Sequence, residues 1–153
     1  MKPWHLFALA ALVGTAALAD DWVVINKSKV TQTCQGDHLN VTINGNSCKV
    51  TVTGECEALN IRGRKNELTA TQKVTSILVP GVRNRITFQK GFANCNVGGD
   101  ENTIVLAGPY DGTKPPRIEL TGGGNTLLWS RAAYPTPPNW VDDGAKNTIK
   151  AIP

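Results

Sequence analysis

The chain is poor in the residues that carry most enzyme chemistry. Beyond His5, histidine occurs once, at His38, so a multi-histidine metal centre is excluded there. No G-x-S-x-G, H-E-x-x-H or phosphate-binding glycine loop occurs, which removes the usual signatures of hydrolases, zinc peptidases and nucleotide enzymes. Charged residues make up only 18% of the chain, and the net charge of +4 is spread along it without a run. That distribution gives no sequence ground for a nucleic-acid partner. There is no paired C-x2-C, and the G-G-x-G-x-D signature of calcium-binding β-rolls is met only in part, at Gly98, Gly99 and Asp100, and is not repeated. No metal, cofactor or catalytic residue is expected, and the chain is read as a non-enzyme.

Long apolar runs are equally scarce. The one candidate is N-terminal: Lys2 precedes an apolar run from Leu6 to Leu18, and Ala17-Leu18-Ala19 fits the small-x-small rule of signal peptidase. The run is shorter than the ~20 residues that span a bilayer. Residues 1–19 are therefore expected to be a signal peptide cleaved before Asp20, leaving a mature chain without a transmembrane segment, exported to the periplasm or beyond. No cysteine follows the run to take a lipid.

What the chain has in quantity is repetition. Gly45, Gly63, Gly81 and Gly99 recur at intervals of 18, and Asn66, Asn84 and Asn102 keep the same interval. Cys48 holds the preceding asparagine slot. Gly122/Asn125 and Gly144/Asn147 continue the G-x-x-N pattern after short insertions. Between these turns, apolar pairs two residues apart recur every nine residues: Val41/Ile43, Val50/Val52, Leu59/Ile61, Leu68/Ala70, Ile77/Val79 and Ile86/Phe88. Spacing two is the strand signature, because successive side chains point to opposite faces. A hairpin sandwich demands no fixed period, whereas a solenoid does, since every coil must superpose on the last.

The expected fold is therefore all-β: a two-sheet parallel β-solenoid with about 18 residues per coil. It covers residues 20–131 in about six coils, followed by a Pro-containing connection and terminal coil or cap over 132–153. The glycines are expected to supply positive φ at tight corners. The asparagines are expected to stack as an amide ladder. Trp22 and Trp140 are expected to cap the two ends.

Four cysteines in an exported chain favour a disulfide. By register Cys34 lies in phase with Val52 and Cys56 just beyond it, so Cys34–Cys56 is the expected bridge, with Cys48 and Cys95 reduced.

The stretch "LNVTINGNSCKVTVTGECEALNIRGRKNELTA" followed by "SILVPGVRNRITF" resembles the bacterial domain-of-unknown-function family 3060, over roughly residues 30–130. The resemblance implies an exported or envelope β-solenoid of unassigned function and supplies no catalytic residues.

For function, outward strand positions are mainly Thr, Asn, Lys, Arg and Ser. Only Glu67 and Glu119 place acids there, on opposite sheets, which defeats the paired-carboxylate chemistry of glycan-cleaving enzymes. The first expectation is a structural or interaction module of the bacterial envelope, with an envelope protein or a glycan as partner. The alternative is a polysaccharide- or ice-binding face built on Thr51, Thr53, Thr69, Thr71, Thr87 and Gln89. Outward apolar residues at Leu78, Val105 and Leu128 mark a candidate contact for a partner or a second copy.

Overall fold

A computed structural model describes residues 21–109 and 114–153. The expected signal peptide, with its cleavage point before Asp20, lies outside the described residues. The described chain forms β1 (Trp22–Ile25), β2 (Thr31–Cys34), β3 (Leu39–Ile43), β4 (Lys49–Val52), β5 (Cys56–Ile61), β6 (Glu67–Ala70) and β7 (Val74–Leu78). It continues with β8 (Arg85–Phe88), β9 (Phe92–Val97), β10 (Thr103–Leu106), β11 (Arg117–Leu120), β12 (Thr126–Ser130), β13 (Asn139–Asp142) and β14 (Thr148–Ile152).

Odd-numbered strands form one seven-stranded sheet and even-numbered strands the other, each in sequential order from end to end. The pairings are parallel. This is the expected two-sheet parallel solenoid, with seven coils among the described residues rather than about six. Each coil is one odd strand, a first corner, one even strand and a second corner; the first corner reads G-x-x-N from the third coil on, with Cys48 in the asparagine slot of the second coil and Val30 in that of the first.

The short strands form because their alternation matches the pleat. β6 and β8 both read exposed, buried, half-buried, buried along their four residues. The parallel register then converts periodicity into columns. Val41, Leu59, Ile77, Cys95 and Ile118 stack on one inner face. Val50, Leu68, Ile86, Ile104 and Leu127 stack on the facing one. Burying one such aliphatic side chain is worth about 2 kcal/mol, and the columns repeat that gain in every coil. At the second corner Phe88 meets Phe92 edge-on, with centroids 4.9 Å apart.

Insertions are confined to one side. The step between asparagine slots is 18 residues in the early coils, then 23 and 22. The extra residues lie between β10 and β11 and between β12 and β13, always at the corner that lacks the G-x-x-N turn. The Pro-rich stretch before β13 is such a connection, and its Tyr134 packs into the core at 2% exposure.

Three expectations are corrected. The repeat glycines do not carry positive φ. That conformation falls on the residue just before each asparagine slot, at Ser47, Lys65, Arg83, Glu101, Gly124 and Lys146. The glycines are needed for close approach instead: a Cβ on Gly63 or Gly81 would collide with the carbonyl oxygen of the glycine one coil earlier. Trp22 is not a cap, because it projects from the outer face of β1 and is 71% exposed. Trp140 does continue the inner column after Ile118, at the open last coil, and is 42% exposed. Val105, taken as an exposed apolar residue, is buried at 6%; Leu78 is exposed as expected, at 43%.

The glycine argument separates two otherwise similar substitutions. Gly81→Ala is expected to lower stability by about 3 kcal/mol, the upper end of overpacking costs, because backbone has to move. Gly98→Ala, whose added Cβ would lie 3.5 Å from the Thr121 hydroxyl, is expected to be neutral to slightly stabilising. Urea unfolding of both variants measures the difference.

Candidate functional site

The asparagine ladder is the most developed polar structure in the molecule. Asn66, Asn84, Asn102 and Asn125 are each at most 1% exposed. The Oδ1 of each accepts the backbone N–H of the preceding slot, from Cys48, Asn66, Asn84 and Asn102 in turn, at 2.8–2.9 Å. Each Nδ2 donates backwards to a glycine carbonyl: Asn66 to Gly45, Asn84 to Gly63, Asn102 to Gly81 and Asn125 to Gly99. Asn147 closes the series, accepting from Asn125 and donating to Gly122. The expected amide ladder is thus present, and most of its bonds run from side chain to backbone. Cys48 fills the asparagine slot at the other end, its thiol donating to the Lys27 carbonyl at 3.2 Å. These amides are consumed by the stack and are not ligand groups.

The threonine face lies on the even-strand sheet. Thr51, Thr69 and Thr87 form one outward column, and the register adds Thr33, which the sequence reading did not include. The signal was available, since Thr33 lies one period before Thr51. The second expected column is spent differently: the Thr53 and Thr71 hydroxyls donate to the carbonyls of Cys34 and Val52 at 3.3 Å. Gln89 is exposed at the same corner position. The neighbouring outward column is charged in the middle, running Thr31, Lys49, Glu67, Arg85 and Thr103.

The expected Cys34–Cys56 bridge is not formed, and all four cysteines are buried free thiols. The register gives the reason. Cys34 ends β2 beside Val52, while Cys56 opens β5 in the other sheet beside Leu39 and Val74. The two thiols therefore start from strands of facing sheets, close enough for each to feel the other's charge but not bonded. Burial raises Cys34 and Cys56 to about 11 and Cys95 to about 12. Because the folded values lie above the ordinary thiol value, the neutral thiols are at home in the core up to about pH 9. Their contribution to stability is then lost as pH rises towards the folded values.

His38, the lone candidate base, occupies a left-handed turn position at φ 60°. Its Nδ1 lies 2.9 Å from the Glu57 carboxylate in the next coil. It borders a shallow depression of about 490 Å³ lined by Asp37, Thr53, Gly54, Glu55 and Gln72. Glu67 and Glu119 lie on opposite sheets. The Asp100 carboxylate accepts the Gly123 N–H at 2.8 Å. Among the described residues no group of three His, Cys, Asp or Glu side chains comes together to hold a metal ion.

Charge is distributed differently from the linear impression. The first corner of the first four coils gathers Lys27, Lys29, Lys49, Arg62, Arg64, Lys65, Arg83 and Arg85, all exposed. The opposite corner is mixed, carrying Asp21, Asp37, Glu55 and Glu57 with Lys73 and Lys90. No run of basic residues announces the first group because an 18-residue period separates its members by coil.

Residues 43–96 match the model of a family described as "Protein of unknown function (DUF3060)". The matched stretch runs from the end of β3 into β9, narrower than the span read from the sequence, and includes Cys48, Asn66, Asn84 and Thr51, Thr69 and Thr87. No curated protein and no solved structure matches the chain.

Two outcomes are expected from this geometry. Asn84→Ala strands the Asn66 N–H in the interior, at about 1–3 kcal/mol for the orphaned group, and leaves the Gly63 carbonyl with the Val82 N–H alone, so unfolding shifts to lower urea. Thiol labelling of the native protein at pH 8 is expected to be slow at Cys34, Cys56 and Cys95 and to become fast in denaturant, read by mass spectrometry.

Proposed function

We propose that the chain is an exported interaction module of the bacterial cell envelope, a rigid non-catalytic rod that acts through its outer surfaces. The observation that carries this reading is the way the coil lattice spends its polar groups. The ladder amides and the glycine carbonyls they meet are satisfied within the stack, while in-register columns of polar side chains are left facing outward. Such solenoids commonly bind along extended faces. The N-terminal Lys2–Ala19 segment supports export. The non-catalytic reading is supported by His38, whose ring is engaged by Glu57, and by the separation of Glu67 from Glu119 on opposite sheets.

A second reading, a glycan-binding threonine face, is favoured by the Thr33, Thr51, Thr69 and Thr87 column. An ice-binding version has less support. Its second hydroxyl column is turned to backbone at Thr53 and Thr71, and the adjacent column holds Lys49, Glu67 and Arg85.

Fractionation of expressing cells is expected to recover the chain outside the cytoplasm with a mass that begins at Asp20. Cytoplasmic, full-length material would refute the export reading. Substitution of His38 by Ala is expected to change no turnover on a polysaccharide panel, and thermal hysteresis is expected to be absent. A measurable, His38-dependent cleavage would overturn the non-catalytic assignment.

A further inference from the structure

The basic corner is a built surface rather than a scatter of cations. Its backbone is a continuous ladder: Lys29, Ser47, Lys65 and Arg83 each donate their N–H to the corner carbonyl of the next coil, at Asn46, Arg64, Val82 and Asp100. Successive coils are therefore fixed about 4.8 Å apart, and the four coils that bear the cations span about 15 Å. Only two of the eight cations have a carboxylate within 4.0 Å: Lys49 with Glu67 and Arg83 with Glu101. Lys27, Lys29, Arg62, Arg64, Lys65 and Arg85 have none among the described residues. The strip has a definite end, because the fifth coil places Asp100 and Glu101 at the same corner positions. On its even-strand side it continues through Lys49, Glu67 (paired with Lys49) and Arg85 to the Thr33, Thr51, Thr69 and Thr87 column.

We infer that this strip, with the threonine column beside it, is a binding surface for a linear acidic polysaccharide, laid along the solenoid axis with its carboxylates on the cations and its hydroxyls on the threonines. Charge complementarity supplies the attraction, and charge-assisted bonds from arginine and lysine to carboxylate are the strong kind. The hydroxyl column decides the class of polyanion. Single-stranded nucleic acid is held by aromatic platforms on which bases stack, and among the described residues the exposed tryptophans, Trp22 and Trp140, both belong to the other sheet. Duplex DNA spaces its charges about 3.4 Å apart along each strand, out of step with the coil rise. An anionic membrane is met best by cations flanked with hydrocarbon, and here the flank is threonine. The inference rests on the interaction-module reading and names its partner class.

The test is binding of the purified mature chain to polygalacturonate, with neutral dextran, a single-stranded oligonucleotide and phosphatidylglycerol vesicles as comparators. Polygalacturonate is expected to bind in preference to all three. Arg64→Gln with Arg85→Gln is expected to weaken that binding about tenfold or more. The same variant is expected to flatten the salt dependence by about one unit per cation removed. Lys73→Gln with Lys90→Gln removes the same charge from the opposite corner and is expected to leave binding unchanged. All four side chains are exposed, and unchanged unfolding midpoints verify that the variants fold. Equal loss in both variants would reduce the effect to net charge and overturn the site. So would preference for the oligonucleotide or the vesicles, absence of binding, or a strip that serves only self-association in sedimentation. Because the assay uses purified chain, failure here leaves the export reading standing, and mislocalisation in the cell leaves this result standing.

Discussion

A buried primary amide repeated along an axis holds this molecule in register. Each asparagine of the ladder ties to the preceding coil twice, its oxygen taking an N–H from the preceding slot and its nitrogen donating to a glycine carbonyl of that same coil, and its own N–H reaches the amide oxygen of the next slot. Parallel strands alone fix spacing but leave sliding open, since every residue has the same main-chain donors and acceptors. A side-chain amide that fits only one slot per coil removes that freedom. The cost of leaving its partners unmet in the interior, about 1–3 kcal/mol per group, makes a slipped stack unfavourable at every coil simultaneously.

The remaining features follow from this contact. The asparagine reaches a glycine carbonyl because the glycine backbones of adjacent coils approach too closely for any Cβ. The residue before each ladder asparagine adopts left-handed φ, and it does so even where it is Lys, Arg or Glu. That strain is tolerated because hydrogen bonds to the next coil over-determine the corner. With the corner fixed, the outward columns are fixed too. Threonines, cations and carboxylates spaced 18 residues apart become immediate neighbours.

Much of the architecture was legible in the residues. Alternation at spacing two, locked to a period of 18, has few physical realisations, and the asparagines sat where a ladder needs them. The glycine role was not legible, because a positive-φ glycine and a close-approach glycine look alike in one dimension. Nor was the fate of Cys34 and Cys56, since phase places residues along the axis but does not measure the gap between facing sheets. Thr53 and Thr71 share the phase of free hydroxyls, and only coordinates reveal that both are bonded to carbonyls. The basic corner escaped notice because charge was read as runs, and a coiled chain builds patches from residues that never adjoin.

The insertions have an implication for how such a rod changes over time. The two lengthened connections, before β11 and before β13, leave the asparagine contacts intact at 2.8 and 2.7 Å. One edge therefore behaves as a spine that admits no added residue, and the opposite edge as an open seam. New loops, and whatever recognition they bring, have room to evolve along that seam without disturbing the scaffold behind them.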